Sequence, residues 1–258
     1  MKIFRQIAVS FSLYSKIPMP RFEWRDEDMA GSLSFFPFVG IIIGALIFLL
    51  NALPQLKAVP VAVRVLLTVA IPLLITGGFH TDGFMDTSDA LSSYASREKK
   101  LEILKDPHIG AFAVIAMMRW LLLFGAAVTM ILTDTDAGKR YLAVFGLVFV
   151  ISRCLSGLTS IHFKKAKSDG MLSAETKGKP VGVTVFLIIQ LILATVFSIV
   201  MNPVAGAVVI VTYAAFIIYY RHMTYKKFGG VTGDTAGYFL TEGEMLASLF
   251  LAVYLFLF

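Results

Sequence analysis

A single cysteine, Cys154, rules out an intrachain disulfide. It falls inside an apolar run and reads as a small buried hydrophobe. Charge is equally scarce: 16% of the 258 residues are Asp, Glu, Lys or Arg, while 57% are hydrophobic. That balance excludes a soluble domain, because several apolar runs approach the ~20 residues that cross a bilayer. Sequence repeats and low-complexity tracts are missing too. The longest connection between apolar runs, residues 77–109, is too short to hide a soluble domain. The N-terminal MKIFRQIAVSFSLYSKIPMPR has no unbroken apolar core and no small-residue cleavage site. It is therefore expected to stay in the mature protein.

What is present is a mean hydropathy of +0.79 and seven candidate spans. They cover residues 34–53, 59–76, 110–132, 141–161, 181–201, 204–220 and 245–258. The expected fold is all-α: a polytopic integral membrane bundle of about seven transmembrane helices, forming one domain over residues 1–258. Residues 1–30 form an N-terminal segment whose KIFRQIAVSFSLY stretch suits an interfacial helix. Residues 77–109 and 221–241 are polar connections. Glu242 and Glu244 are expected at the surface where the last span enters, so that no acid lies inside a span.

Seventeen of the 23 Lys and Arg residues fall in the connections of one side, against Lys57, Lys139 and Arg140 on the other. Basic residues favour the cytoplasmic side, which places the N-terminus inside and the C-terminus outside. The net charge of +6 is thus a topology signal and not the footprint of a nucleic-acid partner. The polar connections gather on the cytoplasmic face of a bacterial inner membrane.

The most informative stretch is GGFHTDGFMDTSDAL, residues 77–91. Asp82, Asp86 and Asp89 are spaced by four and then three, which puts them on one face of a helix. Three like charges on one face need a cation, and an oxygen donor set suits Mg²⁺, with Mn²⁺ as the alternative. Gly77 and Gly78 would end the preceding span, His80 follows, and Thr87 and Ser88 could support the carboxylates. A solvated acidic helix start explains Asp82 but not the two further acids.

Three other features could bind substrate. Lys105, Asp106 and His108 cluster where a short basic helix from Arg97 to Lys105 meets the third span; its Lys99 and Lys100 read as headgroup contacts. GGVTGDTAG, with Thr232 and Asp234 among four glycines, could turn backbone amides toward a phosphate, although no Walker lysine follows. Arg119 and Arg153 each lie nine residues inside a span, ~13 Å deep at the helical rise. They suit a phosphate or carboxylate pocket, or else a structural pairing within the bundle. Gly40 and Gly44, spaced as GxxxG, indicate close helix packing.

Taken together these residues resemble the cobalamin synthase family of adenosylcobinamide-GDP ribazoletransferases. Gly77, Gly78, His80, Asp82, Gly83, Asp86, Asp89 and Leu91 match its GGxHxDGxxDxxDxL motif. Lys105, Asp106, His108, Ile109, Gly110 and Phe112 resemble its KDxxIGxFG block, with Ala113 in place of the last glycine. Gly229, Gly230, Thr232, Gly233 and Asp234 match GGxTGD, and Ile17, Pro18 and Pro20 match IPxP. Ala90 stands where glycine commonly follows the third Asp, and Lys167 where arginine is expected.

The resemblance implies joining of adenosylcobinamide-GDP, a corrinoid nucleotide, to α-ribazole or its 5′-phosphate, with release of GMP. It implies catalysis by Asp82, Asp86, Asp89 and Asp106, the first three also holding metal. Substrate contacts would come from His80, Lys105, His108, Arg119, Arg153, Lys167, Thr232 and Asp234. The lipid bilayer is the implied surrounding partner, and homo-oligomerisation is left open. Two rivals remain at this stage. A CDP-alcohol phosphotransferase would need Ala-Arg where Asp86-Thr87 stands, and a later GxxxDxxxD. An ion-coupled transporter would show paired repeats and acids in mid-membrane.

Overall fold

The computed structural model describes residues 2–133, 138–166, 171–176 and 181–257. Helix α1 (Lys2–Tyr14) turns Phe11 and Tyr14 inward and leaves Ile3 and Phe4 exposed, as an interfacial helix should. Helix α2 (Asp26–Ser32) runs through a 3-10 turn, Leu33–Phe35, into α3 (Phe36–Ala52). Then come α4 (Val61–Thr76), α5 (Phe79–Ser92), α6 (Arg97–Ile103) and α7 (Ala111–Thr133). The chain continues as α8 (Gly138–His162), α9 (Met171–Glu175), α10 (Val181–Met201), α11 (Pro203–Lys227) and α12 (Gly233–Leu257). Among the described residues six helical stretches are long and apolar enough to cross a membrane, or seven if the sharply bent pair α4 and α5 counts as one span. The fold is that of a polytopic helical membrane protein.

Helix α8 forms the axis, with α3 and α10 against it. The α3–α8 seam is close because Gly40 and Gly44 meet the backbone of Phe149 and Gly146, leaving no room for a Cβ. The GxxxG spacing is thus a packing device, as expected. Between α4 and α5, Gly77 and Gly78 adopt φ of 65° and 80°, a region only glycine enters freely. The chain bends there by 95°, which lays α5 across one end of the bundle.

The last span differs from expectation. Helix α12 starts at Gly233, immediately after the glycine-rich loop. Glu242 and Glu244 therefore lie well inside a long helix, both buried, and not at a surface. The physical reason is charge pairing: Arg119 of α7 and Arg153 of α8 meet them, so the helix carries two acids through the interior.

Candidate active site

Glycines set the frame of the site. A Cβ on Gly83 would lie 2.8 Å from the Cα of Asp234, and one on Gly237 would lie 2.6 Å from the His80 carbonyl oxygen. Helix α5 thus crosses the start of α12 backbone to backbone, and the acids of two distant motifs meet. Asp82 is exposed, while Asp86 and Asp89 are half-buried. Burial first, and then the charges of Asp82, Asp234 and Asp89, push the Asp86 carboxyl up to about 6. The Asp89 carboxylate lies against Gly110 at the start of α7, where any side chain would displace it. That placement adds a favourable helix-dipole contact. Among the described residues no three His, Cys, Asp or Glu side chains converge on one point at metal-binding distance.

Behind Asp82 and Asp234 lies a cavity of ≈ 320 Å³ between α1, α3, α5, α8, α9 and α12. His80 lines it, 7% exposed, with neither ring nitrogen hydrogen-bonded. Burial, and secondarily Arg153, pull its imidazole down to about 3, so it is neutral at ordinary pH. Among the lining residues, Tyr14, Glu175 and Lys165 had no site signal in the sequence. The Tyr14 hydroxyl donates to Glu175 at 2.5 Å, and burial raises that carboxyl to about 7. Lys165 lines the same space. Lys167 lies outside the described residues.

Several expected site residues have partners within the fold. Arg119 makes a two-pronged contact with Glu242 at 2.9 and 2.7 Å. Arg153, 1% exposed, donates to Glu244 at 2.6 Å and to the Phe149 carbonyl at 2.8 Å. Both arginines thus answer to acids inside the bundle, and neither lines the cavity. Three amides of the glycine-rich loop are engaged within the fold and are not turned toward a phosphate. Gly230 N–H donates to Thr224, Val231 N–H to Lys164, and Thr232 N–H to the Thr235 hydroxyl. Thr232 in turn accepts from Thr235 N–H at 3.1 Å and so caps α12, while still lining the cavity.

Thr87 and Ser88 do not support the carboxylates. Ser88 donates to the Phe84 carbonyl, and the Thr87 hydroxyl is buried without a partner. Lys105, Asp106 and His108 are exposed and stand outside the cavity lining. Asp106 accepts from the His108 backbone at 3.0 Å and contacts its ring at 2.7 Å. The backbone contact, more than the ring, holds its carboxyl below the usual range. Lys100, read as a headgroup contact, is 4% exposed and caps the carboxyl end of α5 through Ala90 and Ser93.

Fold and site define a polytopic helical membrane protein with an acidic, cavity-bearing end. The chain belongs to the cobalamin-5-phosphate synthase family, whose model matches residues 6–252. It is similar to the adenosylcobinamide-GDP ribazoletransferase of Lachnoclostridium phytofermentans, 41% identical over 96% of this chain and 94% of that protein. Proteins of the same name from Listeria monocytogenes (35% over 90% and 91%) and Clostridium botulinum strain Alaska E43 (31% over 95% and 95%) are also similar. No solved structure matches. Glu242 and Glu244 lie buried inside a candidate span, so the expected absence of acids in mid-membrane, which counted against a transporter, does not hold.

Proposed function

We propose that the chain joins adenosylcobinamide-GDP to α-ribazole, or to its 5′-phosphate, and releases GMP. The observation that carries this reading is the acidic motif of α5 standing with Asp234 beside a cavity that Asp82 and Asp234 line. A ribose hydroxyl oxygen bonds to the phosphorus on the corrinoid's aminopropanol arm. The bond from that phosphorus to the bridging oxygen of the diphosphate breaks, GMP leaves with that oxygen, and the hydroxyl proton is released.

In this reading Asp82, Asp86 and Asp89 hold Mg²⁺ or Mn²⁺. Their oxygen chemistry and the repulsion borne by Asp86 fit a divalent cation. Mg²⁺ is commonly held by one or two carboxylates plus substrate phosphates, so three converging protein ligands are not required. The ion, when bound, neutralises the diphosphate and stabilises the departing oxygens. The chain's own part is positioning: α5 presents the carboxylates, and the close crossing at Gly83 and Gly237 brings Asp234 to them. Lys105, Asp106 and His108 belong to the outer rim, where the bulky corrinoid approaches.

The cavity opens on the cytoplasmic face of the membrane, a placement supported by the distribution of basic residues. The deciding assay supplies purified protein in lipid nanodiscs with adenosylcobinamide-GDP, α-ribazole and Mg²⁺ and measures GMP and cobalamin. Release of GMP without cobalamin, or neither product, rejects the reading. For the orientation, Tyr94→Cys should react with impermeant reagent only from the cytoplasm and Gln55→Cys only from outside. Native Cys154 is buried and silent.

A further inference from the structure

The lining of the cavity combines two chemistries. The exposed carboxylate of Asp82 and the half-buried one of Asp234 line part of it, and the rings of Tyr14, Phe36, Phe79 and His80 line another part. The His80 ring lies 6.0 Å from Tyr14, 5.4 Å from Phe36 and 5.4 Å from Phe79, and Tyr14 and Phe36 are 4.2 Å apart. Leu240 adds to the apolar lining. Within this box the imidazole of His80 is buried with both nitrogens unsatisfied. A buried polar group without a partner is costly, and a native site that keeps one has a reason to. A ligand that offers a flat ring to the aromatics and a hydroxyl to the imidazole would supply what is missing.

We propose that this cavity is the nucleoside subsite. The bicyclic base of α-ribazole lies among Tyr14, Phe36 and Phe79, and a ribose hydroxyl bonds to His80. The corrin ring and its GDP remain outside, at the acidic mouth.

Three observations favour this occupant, given the transferase reading above on which the inference rests. A cavity of ≈ 320 Å³ accommodates a bicyclic base with its ribose but not a corrin macrocycle, which is several times larger. The attacking hydroxyl would lie on the cavity side of the carboxylates and the diphosphate on the open side, as an in-line displacement requires. Guanine is the competing flat ring, but its edge is crowded with donors and acceptors. The rings of Tyr14, Phe36 and Phe79 meet it with carbon, and the Tyr14 hydroxyl and Glu175 are already bonded to each other, which leaves Lys165 and the lining hydroxyls among its remaining polar contacts.

The test is a comparison of KM values for the two substrates in nanodiscs. Phe79 is 46% exposed, so Phe79→Ala should leave folding intact. It should raise the KM for α-ribazole about tenfold, the scale of one lost base–aromatic stack. The KM for adenosylcobinamide-GDP should not move, and Phe79→Tyr should restore the native value. His80→Phe keeps the aromatic wall without the nitrogens and should show the same selectivity, with His80→Asn recovering part of the loss. A rise confined to adenosylcobinamide-GDP would put guanine in the cavity and overturn the proposal. Unchanged KM values in both Phe79→Ala and His80→Phe would overturn it as well. If the native protein forms no cobalamin, the transferase reading fails. Calorimetric titration of native protein and Phe79→Ala with α-ribazole then decides the subsite separately: tighter binding to the native protein supports it, and equal or absent binding rejects it.

Discussion

The acids inside the bundle and the acids at its mouth carry the same charge but stand in opposite circumstances. Glu242 and Glu244 each meet an arginine. Asp82, Asp86 and Asp89 have no ion-pair partner among the described residues, and Asp86 bears the repulsion of its neighbours. An acid with a guanidinium beside it stabilises the fold, and its loss strands a cation. An acid crowded by other acids strains the fold, and its loss relieves that strain. Stability and activity should therefore separate cleanly between the two groups.

The largest effect is expected at the mouth. Asp86→Asn keeps shape and removes charge, and GMP release should fall about a thousandfold, the upper range for losing one electrostatic stabiliser. The melting temperature should hold or rise; a fall in both would erase the distinction. Next is Glu244→Gln, which leaves Arg153 buried without its counter-ion and should cost about 3 kcal/mol in a detergent melt. Replacing both partners with apolar residues of similar size should recover much of that loss.

Glu175 sharpens the comparison, since it is a buried acid answered by a phenol instead of a guanidinium. Its carboxyl is raised to about 7 from an ordinary 4.5, so its stabilising share is complete below pH 4.5 and is lost as pH rises through 7. Native protein should lose about 1 kcal/mol between pH 6 and 7.5, and Glu175→Gln should flatten that slope. The smallest effect belongs to Glu242→Gln. Its arginine side chain is 42% exposed and can swing toward the headgroups, so the loss should stay below about 1 kcal/mol. A loss as large as that of Glu244→Gln would show that exposure does not set the difference.

Arg119 and Arg153 also mark where reading the chain reached its limit. Both lie at the same helical depth, which was legible, but depth says nothing about the direction a side chain faces. Arg153 faces the centre of the bundle and Arg119 its flank. Their partners could have been found from charge alone: two arginines in spans require two acids, and starting the last helix at Gly233 would have supplied them. Thr232 and Gly230 illustrate a different limit. Their composition suits a phosphate loop, but their amides are taken by Thr235 and Thr224, a competition decided only once the loop is folded. The α5 carboxylates, by contrast, were placed correctly on one helix, because helical periodicity is a local property.

Hydropathy, charge distribution and helical spacing are local along the chain, and they determined what local rules can. These are a helical membrane bundle, the break at Gly77-Gly78, the GxxxG seam and the acidic face of α5. Tertiary structure decided which distant segments meet. The crossing at Gly83 and Gly237 brings Asp234 to the α5 acids, although about 150 residues separate them, and the packing of α1 and α9 sets Tyr14 and Glu175 into the adjoining cavity. The physical reason is that a backbone approach of this kind depends on two missing side chains facing each other, and neither glycine reveals its partner until both helices are packed.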